Sequence, residues 1–203
     1  MRTIPKTIIA TSGTIFIGVL FVVGVWRPLH KSQLYTSAQA QLSQIRSVAA
    51  FFAAFDYPIA YWAPTGGDEL RVQYLMYLQS VISQTSDEAV INAMVQEADR
   101  VAQPLLERGK GFDFGTFLNV YGSFYVVAGN ALHNMDYIDH AQQIFEEGLL
   151  RSPGRLQFLY GLLDIARIKG DDAVVKKIAD SIFALYPNDS ITRQVLDELG
   201  LSQ

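Results

Sequence analysis

The densest concentration of ligating side chains is the run HNMDYIDH, in which His133, Asp136, Asp139 and His140 have the types that could hold a divalent metal. A turn between antiparallel helices calls for the same residues, with Asp as a cap and His in solvent, and that is the reading adopted. The chain has no cysteine, which excludes thiol catalysis, disulfides and zinc fingers, and its third histidine is His30, so no HExxH frame exists. Gly66-Gly67 and Gly109-Lys110-Gly111 lack the GxxxxGK[ST] frame that cradles phosphates, and Gly122-Ser123 lacks the GxSxG nucleophile frame. The paired acids Glu146-Glu147 and Asp171-Asp172 fall on outer faces or helix starts, where solvent and the helix dipole favour them. The expectation is no catalytic residue, no metal and no cofactor, hence a protein that binds rather than converts.

Half of the 203 residues are apolar, enough to bury a core, and a net charge of -4 argues against a nucleic-acid partner. Charge is unevenly spread. Arg2, Lys6, Arg27, Lys31 and Arg46 fall in the first fifty residues, which contain no acid, so the remainder is strongly acidic. A basic end suits anionic lipid headgroups. Within the uncharged interval between Lys6 and Arg27 run nineteen residues, Ile8 to Trp26. At about 1.5 Å per residue they match a bilayer's hydrocarbon core, and residues 1–27 read as a single transmembrane anchor with Trp26 at its interface. A cleaved signal peptide is the rival reading, although the first small-x-small site, Ala38-Gln39-Ala40, lies well past Trp26. The flanking positive charges tip only slightly toward an inside amino terminus, which would place the rest of the chain on the extracytoplasmic side.

Residues 28–67 read as a membrane-proximal helix running to about Phe55, then an aromatic turn. Phe51, Phe52, Phe55, Tyr57, Tyr61 and Trp62 crowd there before Pro64-Thr65-Gly66-Gly67. Those rings could pack a core or lie on headgroups or a partner. Residues 68–112 read as a helical hairpin. Its first helix runs from Asp68 to Gln84; Thr85-Ser86-Asp87-Glu88 forms a capping box for the second, which Pro104 should kink before Gly109.

Pro153 and Pro187 stand thirty-four residues apart, each closing an amphipathic stretch. With Gly122 as a first position, Tyr125 is a large aromatic, Gly129 and Ala141 are small crossing residues, Phe145 is a second aromatic and Pro153 the closing proline. A second unit from Leu156 supplies Leu159, Leu162, the Gly170-Asp171 turn and Pro187, with Leu163, Val175 and Ala179 departing from the pattern. Asn188-Asp189-Ser190 then caps a last helix ending near Gly200. On these residues 113–203 resembles tetratricopeptide repeats. The resemblance implies an α-hairpin solenoid with a concave face that binds a protein or peptide, so that with the anchor the expected fold is all-α, an N-terminal transmembrane helix followed by that solenoid. First-helix spacing of four and three then proposes Val126, Asn130 and His133 from one unit and Tyr160, Asp164 and Arg167 from the next. The family's two-lysine carboxylate clamp is not reproduced, since only Asn130 fits it.

A looser resemblance spans nearly the whole chain. A membrane span, an Ala-rich helix, an aromatic turn with Asp68-Glu69-Leu70-Arg71, a helical pair and repeats together look like the carboxyl-terminal portion of bacterial O-antigen ligase or polymerase-like proteins. This chain lacks their many spans and their catalytic loop, so the resemblance implies an envelope location and a partner, with no catalytic residue. The expected function is a membrane-tethered interaction scaffold; the alternative is a subunit or separated tail of a glycan ligase or polymerase system.

Overall fold

A computed structural model describes residues 6–111 and 114–201, with side chains from Ala10 onward. The basic flank at Arg2 and the expected 112/113 boundary lie outside the described residues. Every described element is helical, and no strand occurs among them. The chain divides into two compact units between Arg71 and Val72.

The first unit begins with a continuous rod. Helix α1, Lys6–Phe21, passes through a π-helical turn, Val22–Trp26, into α2, Arg27–Gln41, and ends in a 3-10 turn, Leu42–Gln44. The 35 residues from Ala10 to Gln44 make one helix long and apolar enough at its start to cross a membrane, and none of that apolar window is buried in the protein. The sequence reading of one helix from Pro28 to about Phe55 requires correction: Ile45 and Ser47 are extended. The chain reverses there because Ser47 caps a new helix, its hydroxyl accepting from the Ala50 amide at 3.2 Å. That helix, α3, Val48–Ala60, runs antiparallel to α2, as the pairing of Tyr35 with Phe55 and of Lys31 with the Ile59 and Tyr61 carbonyls requires. Reversal buries Tyr35, Ala38, Phe51, Phe55 and Ile59, which a single extended helix would leave wet. The aromatic cluster therefore splits, with Phe51 and Phe55 in the core and Tyr57 and Trp62 exposed.

Helix α4, Gly67–Ile82, carries the chain across the boundary between units. In the second unit α5, Glu88–Arg108, is capped by Asp87, whose carboxylate accepts from the Ala89 and Val90 amides. This replaces the Thr85/Glu88 capping box expected from sequence: Thr85 instead accepts from the Asp87 amide, which leaves Asp87 nearest the open donors. Pro104 sits on the exposed side of α5, and the helix continues to Arg108.

Four further long helices and a short one follow: α6, Phe114–Leu132; α7, Met135–Arg151; α8, Leu156–Lys169; α9, Asp172–Leu185; and α10, Ser190–Glu198. Each packs on the next through α5 to α9, α9 meets α10, and α6 also reaches α8. Glycines make the close approaches. A Cβ on Gly122 would stand 2.7 Å from the Phe145 ring, and one on Gly161 would collide with the same ring. Phe145, 1% exposed, is thus a wedge between α6 and α8. Ala141 and Gly129 are buried too, but Gly129 makes room for Ile138 rather than for Phe145.

The hairpin turns share one construction. At the end of α6 the Asn134 amide bonds the Gly129 carbonyl and the His133 amide bonds that of Asn130; at the end of α8, Asp171 bonds Ala166 and Gly170 bonds Arg167. Both are Schellman closures, and in each the following residue, Asn134 or Asp171, immediately caps the next helix. Gly200 closes α10 in the same way, with the Leu201 amide on the Leu196 carbonyl.

Candidate functional site

The first of the two sequence-derived triplets lies toward the end of α6. Val126 is half-buried, while Asn130 and His133 are exposed. His133 occupies the left-handed position of the Schellman closure at φ 51°, where its counterpart in the next hairpin is Gly170 at φ 68°. A side chain there carries a cost of about 1 kcal/mol. His133→Gly is therefore expected to stabilise the second unit by up to about 1 kcal/mol in urea unfolding.

The second triplet, on α8, is turned toward α10. The Tyr160 hydroxyl donates to Asp189, the cap of α10, and Arg167 pairs with Asp164 at 3.3 Å and with Glu198 at 3.7 Å. Because Asp189 and Glu198 sit at opposite ends of α10, Tyr160 and Arg167 brace the length of that helix. The hydrogen bond to Asp189 pushes the Tyr160 phenol up to about 12. Burial raises the Asp189 carboxyl, but the bonds from Tyr160 and Thr192 outweigh it and hold the group below its ordinary value. Asn130 and Asp164 are both exposed, and Asp164, 59% exposed against 37% for Arg167, is the more open member of its ion pair.

A second constellation was absent from the sequence reading. Asp99 on α5 accepts from the hydroxyls of both Tyr121, at 2.7 Å, and Tyr125 on α6. His140 and Tyr137 of α7 close edge-on over Tyr125, with ring centroids 4.4 and 5.6 Å away, and the Tyr137 hydroxyl donates to Asn92 at 3.4 Å. Three helices are joined by one carboxylate and four rings. The visible signal was the i, i+4 tyrosine pair, which puts both phenols on one helix face; nothing local named Asp99, twenty-two residues away from the nearer one.

Burial and the Asp99 contact raise both phenols above their usual range. A group with a raised folded-state pKa stabilises fully below the unfolded value near 10 and loses that contribution as pH climbs past it. Unfolding free energy is thus expected to fall steeply above about pH 10. Replacing Tyr121 and Tyr125 with phenylalanine should flatten that limb in a pH series of urea melts. Chemically the cluster is a clamp: one carboxylate accepts from two phenols of the neighbouring helix.

The metal-type run is dispersed. Asp139 pairs with Lys169 at 2.6 Å, His140 lies against Tyr125, and His133 stands exposed in its turn. Among the described residues no group of three or more His, Cys, Asp or Glu is placed to hold a metal ion. An open cleft of about 490 Å³ separates α9 from α10, with Phe183 and Leu196 as floor and Lys176, Asp180, Arg193 and Asp197 at its rim.

No protein-family model, curated protein or solved structure matches this chain. The functional reading therefore rests on its own residues.

Proposed function

We propose that the chain is a single-pass membrane protein whose helical part, residues 113–203 above all, is a tetratricopeptide-like scaffold for a protein or peptide partner in the cell envelope. The observation that carries the reading is the exposure of the apolar rod. Ile15, Phe16 and Ile17 leave 63%, 63% and 67% of their surface uncovered by the protein, as do their neighbours to a similar degree. Each such side chain gains about 1.5–3 kcal/mol on leaving water, so a bare stretch of this length needs an apolar medium around it. The repeat reading is supported by the paired Schellman-and-cap turns and by α6 reaching α8 across α7, the neighbour pattern of stacked hairpins.

In this reading residues 8–26 lie in the bilayer, the helical part is extracytoplasmic, and the partner, a membrane protein or its exposed peptide, meets the face bearing Val126, Asn130, His133, Tyr160, Asp164 and Arg167. Since Tyr160 and Arg167 also brace α10, the informative substitutions are Asn130→Ala and Asp164→Ala. The double variant should unfold like the parent yet lose partners that the parent captures from detergent-solubilised membranes. An unchanged set of captured proteins removes the face from consideration. Protease added to spheroplasts should cleave after Arg27; full protection would reverse the orientation.

A further inference from the structure

The first unit carries a groove that the scaffold reading does not use. It is an open-sided channel of about 570 Å³ along the apolar rod, lined by Ile15, Gly18, Val19, Val22, Val23, Arg27 and Trp62. Its floor is open at Gly18, where an added Cβ would meet nothing within 4 Å. Trp62 forms the wall. Because α3 returns antiparallel to α2, the chain after Ala60 comes back to the level of Arg27, and the exposed Trp62 indole is laid against the rod. The Arg27 guanidinium stacks over that indole at 4.9 Å and donates to the Trp62 carbonyl at 3.5 Å, so it holds the wall in place and stands at the channel's mouth. The π-helical turn contributes: the Arg27 amide bonds the Val22 carbonyl five residues back, which stacks Arg27 over Val22 and the channel.

We infer that this channel holds one anionic phospholipid, its acyl chain between Trp62 and the Ile15–Val23 face and its phosphate on Arg27. The inference rests on residues 8–26 lying in a bilayer. Length agrees: the twelve steps from Ile15 to Arg27 rise roughly 18 Å, about one leaflet of a 30 Å hydrocarbon core. Chemistry agrees at both ends, with an uncharged wall below and a cation above. His30 and Lys31 sit beside Arg27, and Lys31 is spent on the Ile59 and Tyr61 carbonyls, which leaves Arg27 as the cation at the mouth. Aromatic edges at Trp26, Tyr61 and Trp62 mark the same level as an interfacial belt.

The chain has two tryptophans, so Trp26→Phe leaves Trp62 as sole reporter. The full-length protein would be reconstituted into phosphatidylcholine vesicles containing brominated-chain phosphatidylglycerol or brominated-chain phosphatidylcholine at equal mole fraction. Both headgroups carry a phosphate, but only that of phosphatidylglycerol has a net negative charge; one basic side chain facing that charge near the surface corresponds to about a fivefold enrichment, so Trp62 should be quenched markedly more by the brominated anionic lipid. Arg27→Gln should bring the two lipids to parity, and Gly18→Leu, which fills the channel, should do the same with Arg27 intact. Equal quenching by the two lipids before any further substitution overturns the site. Flotation in the same samples separates the failures: protein that floats but shows no preference loses only the lipid site, whereas protein left at the bottom of the gradient loses the membrane reading and the site with it.

Discussion

Phe145→Ala is expected to destabilise the second unit by about 3–5 kcal/mol, the cost of removing a buried ring from a site that cannot collapse. The ring is 1% exposed, stands between Gly122 and Gly161, and touches Phe158 at a centroid distance of 6.5 Å. Neither glycine has atoms to move into the space, so the void should persist. For a unit of this size the midpoint of thermal unfolding should fall by roughly 10–20 °C. A companion measurement tests the wedge itself. Gly161→Ala alone should cost about 1–3 kcal/mol because the methyl collides with the ring. In the Phe145→Ala background the same methyl enters vacated space, and the two costs should be less than additive by at least about 1 kcal/mol. Strict additivity would mean that Phe145 does not hold α6 and α8 apart.

Ile17→Arg should produce the other large effect, and it separates the two environments open to the apolar rod. Ile17 lies midway along residues 8–26 and is 67% exposed within the protein. If that surface met water, arginine would be tolerated with a change within about 0.5 kcal/mol. At the centre of a bilayer the substitution costs about 3 kcal/mol, a shift of more than a hundredfold in the inserted fraction. The parent should resist carbonate extraction and the variant should be released from the membrane fraction or left unassembled. Equal retention of both proteins would remove the bilayer reading of residues 8–26, and a stable water-soluble variant with parent-like urea melts of residues 72–203 would show that the second unit folds without the anchor.

Much of the helical order was legible because its signals are local. Prolines at 153 and 187 cannot continue a helix, Gly170 accepts the left-handed turn, and the short acceptors Asp171 and Asp189 sit where helix amides open, so ends fell where chemistry demanded them. The reversal at 42–47 was missed for the converse reason. Leu42-Ser43-Gln44-Ile45-Arg46-Ser47 contains neither glycine nor proline, and Ser47 is a weak local cue that becomes a cap only once α3 has a partner on which to bury Phe51 and Phe55. The Thr85 expectation failed by two residues, since two acceptors competed for the same donors and Asp87 lay closer.

The candidate face was legible only in part. Helical spacing placed Asn130 and Asp164 on open surface, but spacing carries no information about what a side chain meets across an interface. Tyr160 and Arg167 meet α10, and Gly129 accommodates Ile138 while Phe145 goes to Gly122 and Gly161. The Asp99 clamp and the Arg27–Trp62 wall join residues 22 to 35 positions apart, beyond the reach of any periodicity.

The amino-acid order by itself determined an all-helical chain, an uncharged segment of bilayer length flanked by bases, and hairpins closed by proline, glycine and capping acids, because each follows from a residue's own backbone preference or from transfer out of water. The tertiary structure alone decided where the first unit folds back on itself, which glycine receives which ring, and which polar groups are spent on internal contacts. Those outcomes depend on how closely two helices cross, a quantity set by all the side chains in the seam together.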